Sequence, residues 1–381
     1  MANEKKTVRE PSFILALVPI VAMIAFMLYC FRGHSETGYH DAHLPLVMSI
    51  IVACIVGFIC GHSFQEMLAG MVERLAASME AVLILATVGF LVTSFMLSGA
   101  IPTMIVYGLD LLTPKLFLPV GCILCAIVGM ACGSSWTTTA TIGLAFLGIG
   151  AGLGIPAPIT AGMIISGAYV GDKFSPLSDT TNLAAAVAET GLFDHVTAMV
   201  STTGPTLLLS LILYTILGLN VDTSAYDATV AEGIQEAFRS AFTISPILLL
   251  PIIVVIVMCI LRVPGLVGIA ISVATAVVFM LIFQSTDIFY SYSLGDIFDV
   301  LHYGHAVETG NAVADSILGK AKGMDGMMWT INLILVALAY GGALERCGCI
   351  EKLFGGLKHK IHSVGSLILA TLLTSIFCDA T

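Results

Sequence analysis

The sequence predicts an all-α polytopic membrane protein with about 10–11 membrane segments in a single transmembrane domain over 1–381. Three observations predict it. Hydrophobic residues make up 58% of the chain and charged residues only 10%, against roughly 25% in soluble domains. The apolar residues come in runs long enough to cross ~30 Å of hydrocarbon at about 1.5 Å per helical residue. No Asp, Glu, Lys or Arg occurs from Leu116 to Gly171, a run too long for one crossing and suited to about three.

Taken in order, Lys5, Lys6 and Arg9 precede an uncharged run, so Ser12–Phe31 is read as a first span with its N-terminus inside. Leu44–Cys60 follows as a second span. Glu66, Glu73 and Glu80 recur every seven residues, which puts them on one face of an amphipathic connector over His62–Glu80. Ala81–Leu97 is a span, and Ser98–Pro102 with Asp110–Lys115 forms the next connection. After the central run, Gly191–Gly218 is a span and Asn220–Arg239 an acidic loop with a short helix. Ser240–Leu261 and Pro264–Phe283 are two further spans. Gln284–Asp325 is the largest polar segment, where His302, His305 and Glu308 are spaced for one helical face; they mark either a solvated face or a metal site. Met327–Leu344 and His362–Phe377 are the last apolar runs, joined by the charged Glu345–Lys360. The ten Cys lie mostly inside apolar runs, which is small-hydrophobe usage and no disulfide framework. Cys122-x-x-Cys125 has no partner pair at zinc spacing.

Two segments repeat one another in order. Val88 to Ser135 and Ala337 to Thr381 each hold a span, a small-Gly-small-Ile turn, an amphipathic piece, and a span ending at a Cys. The turns are Ser98-Gly99-Ala100-Ile101 and Cys347-Gly348-Cys349-Ile350. Counting crossings from an inside N-terminus puts the first turn outside and the second, with Arg346, Lys352, Lys358 and Lys360, inside. Opposite topology of two copies is the pattern of inverted-repeat secondary transporters with broken helices. The first repeat covers about 81–219 and the second begins at about 327. The second copy of the central stretch would begin at about Asp379, so the reading expects a C-terminally incomplete chain; a shortened homologue is the alternative.

The chemistry concentrates in Cys132–Asn182. It opens on the hydroxyl run Ser134, Ser135, Thr137, Thr138, Thr139, Thr141 and closes on Asp172 and Asp179 among Ser175, Ser178, Thr180, Thr181 and Asn182. Gly133-Ser-Ser135, Gly152–Pro156 and Ser175-Pro176 interrupt the helices between them. A hard cation such as Na⁺ binds carboxylate, hydroxyl and carbonyl oxygens, and broken membrane helices supply all three. A carboxylate at the bilayer centre costs about 2.5–3.5 kcal/mol on the insertion scale, so it persists where it binds an ion, a proton or a partner. Asp179 is the foremost such group, with Asp172 beside it. The milder alternatives are an Asp172–Lys173 pair at a helix end, and Ser/Thr hydroxyls that only bond back to their own helices or pack them.

The segments GSSWTTTATIG (133–143) and ISGAYVGDKFSPLSDTTNLAA (165–185), with Gly341–Gly348, resemble the hallmark segments of the NhaC-type Na⁺/H⁺ antiporters. The likeness runs over most of the chain. It implies exchange of Na⁺ for H⁺, sometimes with organic acids such as malate and lactate, in a bacterial or archaeal cytoplasmic membrane. Asp172, Ser175, Ser178, Asp179, Thr180 and Asn182 fall on the matching motif positions.

The leading expectation is therefore Na⁺/H⁺ antiport by competition for Asp179 and Asp172, without a cofactor and with the lipid bilayer as surroundings. A coupled carrier of a small organic anion is the second reading, because Gly-rich helix N-termini can hold a carboxylate. A channel lacks a repeated filter-like segment. An enzyme lacks a nucleophile–base set. Nucleic acid lacks a basic patch to bind. A homo-oligomer stays open.

Overall fold

The computed structural model describes residues 8–32, 41–133, 135–175, 178, 180–181, 184–185, 190–220, 228–261, 263–284, 294–358 and 365–372. Every regular element among them is a helix. The chain divides into two compact units, Met1–Leu83 with Met328–Thr381, and Ile84–Met327.

The first unit holds α1 (Phe13–Arg32), α2 (His43–Ile59) and α3 (Phe64–Ala77). It also takes most of α16 (Asp325–Arg346), α17 (Cys349–Lys358) and a helix over 365–372. Helix α1 packs on α2 and on α17. Ala16, Ala53, Met67, Ala343, Cys347 and Cys349 lie at the centre of this unit's core. Ser63 starts α3 with a capping box: its hydroxyl accepts from Glu66 N–H, and the Glu66 carboxylate accepts from Ser63 N–H.

The second unit holds most of α4 (Met79–Leu97), then α5 (Ala100–Leu111) and α6 (Pro114–Cys132). A composite helix follows: α7 (Ser135–Thr138), a π segment (Thr139–Gly143) and α8 (Leu144–Gly152). Next come α9 (Ala157–Phe174), α10 (Leu192–Leu219), α11 (Ala228–Ala241), a 3₁₀ turn (Pro246–Leu249) with α12 (Leu250–Ile260), and α13 (Gly265–Phe283). Two short helices, α14 (Leu294–Tyr303) and α15 (Ala312–Leu318), complete it. Phe95, Phe117, Phe238, Ile105 and Ile149 fill its core, with Phe117 edge-on to Phe146 at 5.9 Å.

Four described helices are long and apolar enough to cross a bilayer, at Phe13–Phe31, Leu192–Leu219, Leu266–Phe283 and Asp325–Arg346. Two bent pairs, Phe64–Ala77 with Val82–Leu97 and Thr229–Ala241 with Pro246–Met258, bring this to six. Of the remaining expected segments, α2 and α6 are shorter apolar helices and others are interrupted, while His362–Phe377 lies outside the described residues except for 365–372. No residue of the most apolar part of α10 is buried, and Leu208, Leu209, Ile212, Leu213 and Ile216 point outward. Such an apolar surface is what lipid tails cover. The protein is a multi-pass membrane protein.

Three expectations are corrected. Ser240–Leu261 is not one span: the helix stops at Ala241, Pro246 starts a new one, and the two are bent by 91°. Thr243 N–H there bonds the Gln284 side chain at 3.0 Å instead of a helical carbonyl. Glu80 does not share a helix with Glu66 and Glu73, because α3 ends before Ser78 and α4 begins at Met79. His302, His305 and Glu308 do not share a helical face: α14 ends at Tyr303, and His305 N–H bonds the Ala321 carbonyl at 3.2 Å.

The two repeated turns share a backbone form. Gly99 (φ 81°) and Gly348 (φ 71°) are both left-handed, each between a long helix and a short one. A residue with a Cβ is strained at such a φ.

Candidate functional site

Helices α6 and α9 carry the candidate site on a shared seam. A Cβ on Gly121 would meet Met163, one on Gly167 the Cys122 carbonyl, and one on Gly171 the Ala126 carbonyl. A Cβ on Gly129 would lie 2.7 Å from the Ala168 carbonyl. The first half of α6 meets the first half of α9 (Gly121 with Met163) and their later turns meet (Gly171 with Ala126, Gly129 with Ala168), so α6 and α9 run in the same direction, and 135–152 brings the chain back between them. The backbones touch because Gly167-x-x-x-Gly171 offers no side chain at the seam. This motif was in the sequence and went unread; its four-residue glycine spacing was the signal. On the other side, Ser166 Oγ and Tyr214 Oη of α10 share a hydrogen bond of 2.9 Å, a contact with no sequence signal.

Asp172 follows directly on the Gly171 contact. It is 7% exposed, and its Oδ1 has no hydrogen-bond partner among the described residues. Lys173 is exposed and makes no ion pair with it, so the expected alternative of a helix-end pair is not formed. Helix α9 ends two residues later, and Ser175 is extended. The Asp172 carbonyl accepts from Ser175 N–H at 3.1 Å and from the Thr181 hydroxyl at 3.4 Å, which also reaches the Lys173 carbonyl at 3.3 Å. Thr181 N–H donates to Ser178 Oγ at 3.4 Å, and Ser178 Oγ pairs with Thr180 Oγ1 at 2.9 Å. Ser175, Ser178 and Thr181 are buried, whereas Thr180 is exposed. Thr181 thus lies back against the end of α9, at the Asp172 and Lys173 carbonyls. Asp179 and Asn182, expected in this group, lie outside the described residues, as does Ser134.

The hydroxyl run packs against α9 through α7 and the π segment. Ser135, Thr137, Thr138 and Thr141 are buried and Thr139 half-buried. Thr139 donates to the Ser135 carbonyl at 2.8 Å and Thr141 to the Thr137 carbonyl at 2.7 Å. These are helix back-bonds, as the milder alternative has it, yet each hydroxyl oxygen keeps lone pairs for a cation. A π segment, wider than an α-helix, often marks a functional position. Among the described residues no three His, Cys, Asp or Glu converge on a metal-binding position. The hydroxyl contacts at this end of α9 run to the main-chain carbonyls of Asp172 and Lys173.

The Na+/H+ antiporter family model matches residues 167–381. The Na⁺/H⁺ antiporter NhaC of Alkalihalophilus pseudofirmus is 34% identical over 88% of this chain and 71% of its own length. The arginine/ornithine antiporter ArcD of Halobacterium salinarum is 34% identical over 98% of this chain and 75% of its own. The malate-2H⁺/Na⁺-lactate antiporter of Bacillus subtilis is 31% identical over 98% and 78%. No solved structure matches the chain. The residues at the broken end of α9 fall inside the matched region, and the chain belongs to the Na⁺/H⁺ antiporter family.

Proposed function

We propose that the protein exchanges Na⁺ for H⁺ across the cytoplasmic membrane, with both ions competing for a buried carboxyl at the broken end of α9. One observation carries this reading: the buried Asp172 carboxyl has an oxygen without a partner. A buried carboxyl oxygen without a partner is one that a proton or a cation can satisfy. Either ion does so, and one carboxyl cannot hold both. Bound by Na⁺, Asp172 is neutralised by the cation, with hydroxyl and carbonyl oxygens completing its shell; bound by H⁺, it is neutral and the Na⁺ shell is empty. Exchange then needs no separate coupling device. Asp179, seven residues on, is the second candidate carboxyl, with Ser175, Ser178, Thr180, Thr181 and Asn182 as further oxygen donors.

The N-terminus is cytoplasmic in this reading, from Lys5, Lys6 and Arg9. The two left-handed turns at Gly99 and Gly348 support two copies of one unit, and the opposite topology rests on the count of crossings.

The test is Na⁺-driven proton flux in vesicles containing Asp172→Asn or Asp179→Asn protein. We expect a loss of at least about tenfold, equal to 1.4 kcal/mol or more, for the variant at the exchanging carboxyl, with unchanged protein level. Full flux in both variants overturns the reading. A second reading is supported by relatives that carry arginine and ornithine or malate and lactate at similar identity. Uptake of labelled malate, lactate or arginine with and without a Na⁺ gradient separates the two.

A further inference from the structure

The connection into α2 and the start of α16 meet in a cluster of three side chains of the first unit, Asp41, His43 and Trp329. Helix α2 begins at His43 with no side-chain bond from Ala42, its cap residue. Asp41 supplies one instead: its Oδ1 accepts from His43 N–H at 3.1 Å, the two-residue reach of an Asp at a turn. The same Oδ1 touches His43 Nδ1, and Oδ2 accepts from Trp329 Nε1–H at 3.2 Å. His43 Nε2 lies 3.3 Å from the Trp329 carbonyl, and the two rings stand edge to face with centroids 5.4 Å apart. Both ring nitrogens therefore face accepting oxygens, a carboxylate on one side and a main-chain carbonyl on the other. A neutral imidazole has one N–H and satisfies one of them; the imidazolium has two and satisfies both. The His43 ring, then the His43 and Trp329 N–H groups, hold the Asp41 carboxyl below its usual range, which leaves the proton on His43. Among the described residues Asp41 is the only carboxylate paired with His43; Asp325, the acidic group in the first turn of α16, forms no ion pair. Helices α2 and α16 run in the same direction, for past the end of α16 Cys347 Sγ lies 3.3 Å from the Ala53 carbonyl. The cluster thus ties their two starting ends.

We propose that His43 is a proton-operated latch between α2 and α16. Protonated, it donates through Nδ1 to Asp41 and through Nε2 to the Trp329 carbonyl, and holds the two helix starts together. When the proton leaves, the remaining N–H stays with the Asp41 carboxylate. Nε2 then turns a lone pair to the carbonyl, and two acceptors 3.3 Å apart repel. The indole bond to Asp41 is the hydrogen bond left in the cluster between the two helix starts. The stabilisation is present while His43 is charged and is lost as the pH rises through its titration. Trp329 is 56% exposed near the start of an apolar helix, the depth at which an indole meets water, so protons reach the cluster from solution. With the N-terminus cytoplasmic, α1 crosses once before this connection, and the latch reads the pH of the outer side.

The test uses the purified full chain in detergent. The chain has two Trp, so Trp136→Phe, at an exposed position, makes Trp329 the single tryptophan. An imidazolium beside an indole quenches its fluorescence more than a neutral imidazole does. We expect Trp329 emission to rise in one single-proton transition as the pH is raised from about 5 to about 9, across the range where histidine titrates. Asp41→Asn removes the opposite charge and is expected to move that transition down by about one pH unit. His43→Gln is expected to abolish it. The gap in melting temperature between the protein with and without His43→Gln should narrow as the pH rises through the transition. The proposal is overturned if emission does not change with pH, if the transition survives His43→Gln, or if Asp41→Asn leaves its midpoint in place. A gap that stays constant overturns it too, since neutral His43 would then hold as well as charged. Should His43→Gln fail to fold, the shift with Asp41→Asn decides.

Discussion

The two repeated turns have one backbone and two surroundings. At the first, a Cβ on Gly99 would lie 2.5 Å from Gln284 Nε2, 3.2 Å from Leu248 Cδ1 and 3.3 Å from the Thr243 carbonyl. Gln284, 4% exposed, donates to the Ser98 carbonyl at 2.8 Å and accepts from Thr243 N–H at 3.0 Å. At the second, a Cβ on Gly348 would meet only Pro11 Cδ, at 3.6 Å. Its ties are the S–H contacts of Cys347 and an exposed pair of Lys352 with Glu10 at 3.4 Å. Ser98 and Cys347 each precede the left-handed glycine, and each bonds back to its own helix, to the Phe95 and the Ala343 carbonyl. What the two turns share is therefore their backbone form, and what they do not share is the clamp around it. The first is fixed by a buried amide; the second is held by weaker donors and has room to change.

Gly99→Ala against Gly348→Ala tests this contrast most directly. Both substitutions carry the left-handed strain of about 1–2 kcal/mol, and only Gly99→Ala adds overpacking of about 1–3 kcal/mol. Thermal unfolding in detergent should show Gly99→Ala as the larger loss by at least about 1 kcal/mol; equal losses would break the contrast. Gln284→Leu comes next. It strips the buried Ser98 carbonyl and Thr243 N–H of partners, for a loss of about 1–3 kcal/mol in the same measurement. A loss within error would mean that the amide is no clamp. Lys352→Ala should do least, under about 0.5 kcal/mol, because exposed ion pairs contribute little. A larger loss would show that the second turn is held more firmly than its contacts indicate.

Much of the helix order was legible. Ser12–Phe31, Ala81–Leu97, Gly191–Gly218 and Pro264–Phe283 match helices to within one or two residues, since long apolar runs end where polar or Gly/Pro residues begin. The breaks at Gly133, Gly152–Pro156 and Ser175 were legible for the same reason. The 91° bend after Ala241 was not, because the apolar run continues through it and Gln284, far along the chain, supplies the bond that holds it. Glu80 misled because a seven-residue spacing survives a helix break. The π segment leaves no mark in hydropathy. At the candidate site, the closeness of Thr181 to the end of α9 was legible, since its hydroxyl reaches the Asp172 carbonyl. The absence of a Lys173 pair was not, since neighbours in sequence at a helix end need not face one another.

The common direction of α6 and α9 has an electrostatic consequence. Each helix adds up its peptide dipoles to roughly half a negative charge at its C-terminal end. Antiparallel neighbours would cancel; these two, running together, end on the same side, at Cys132 and Phe174. Both negative poles therefore lie toward the end of the seam that holds Asp172. Parallel dipoles in contact repel, and the glycine seam supplies the packing that offsets this. The C-terminal pole of α9 favours a cation near Asp172, while the N-terminal pole of the returning helix, which starts at Ser135, opposes that of α6. The electrostatics at this end of the seam are then set by helix direction as well as by the carboxyl.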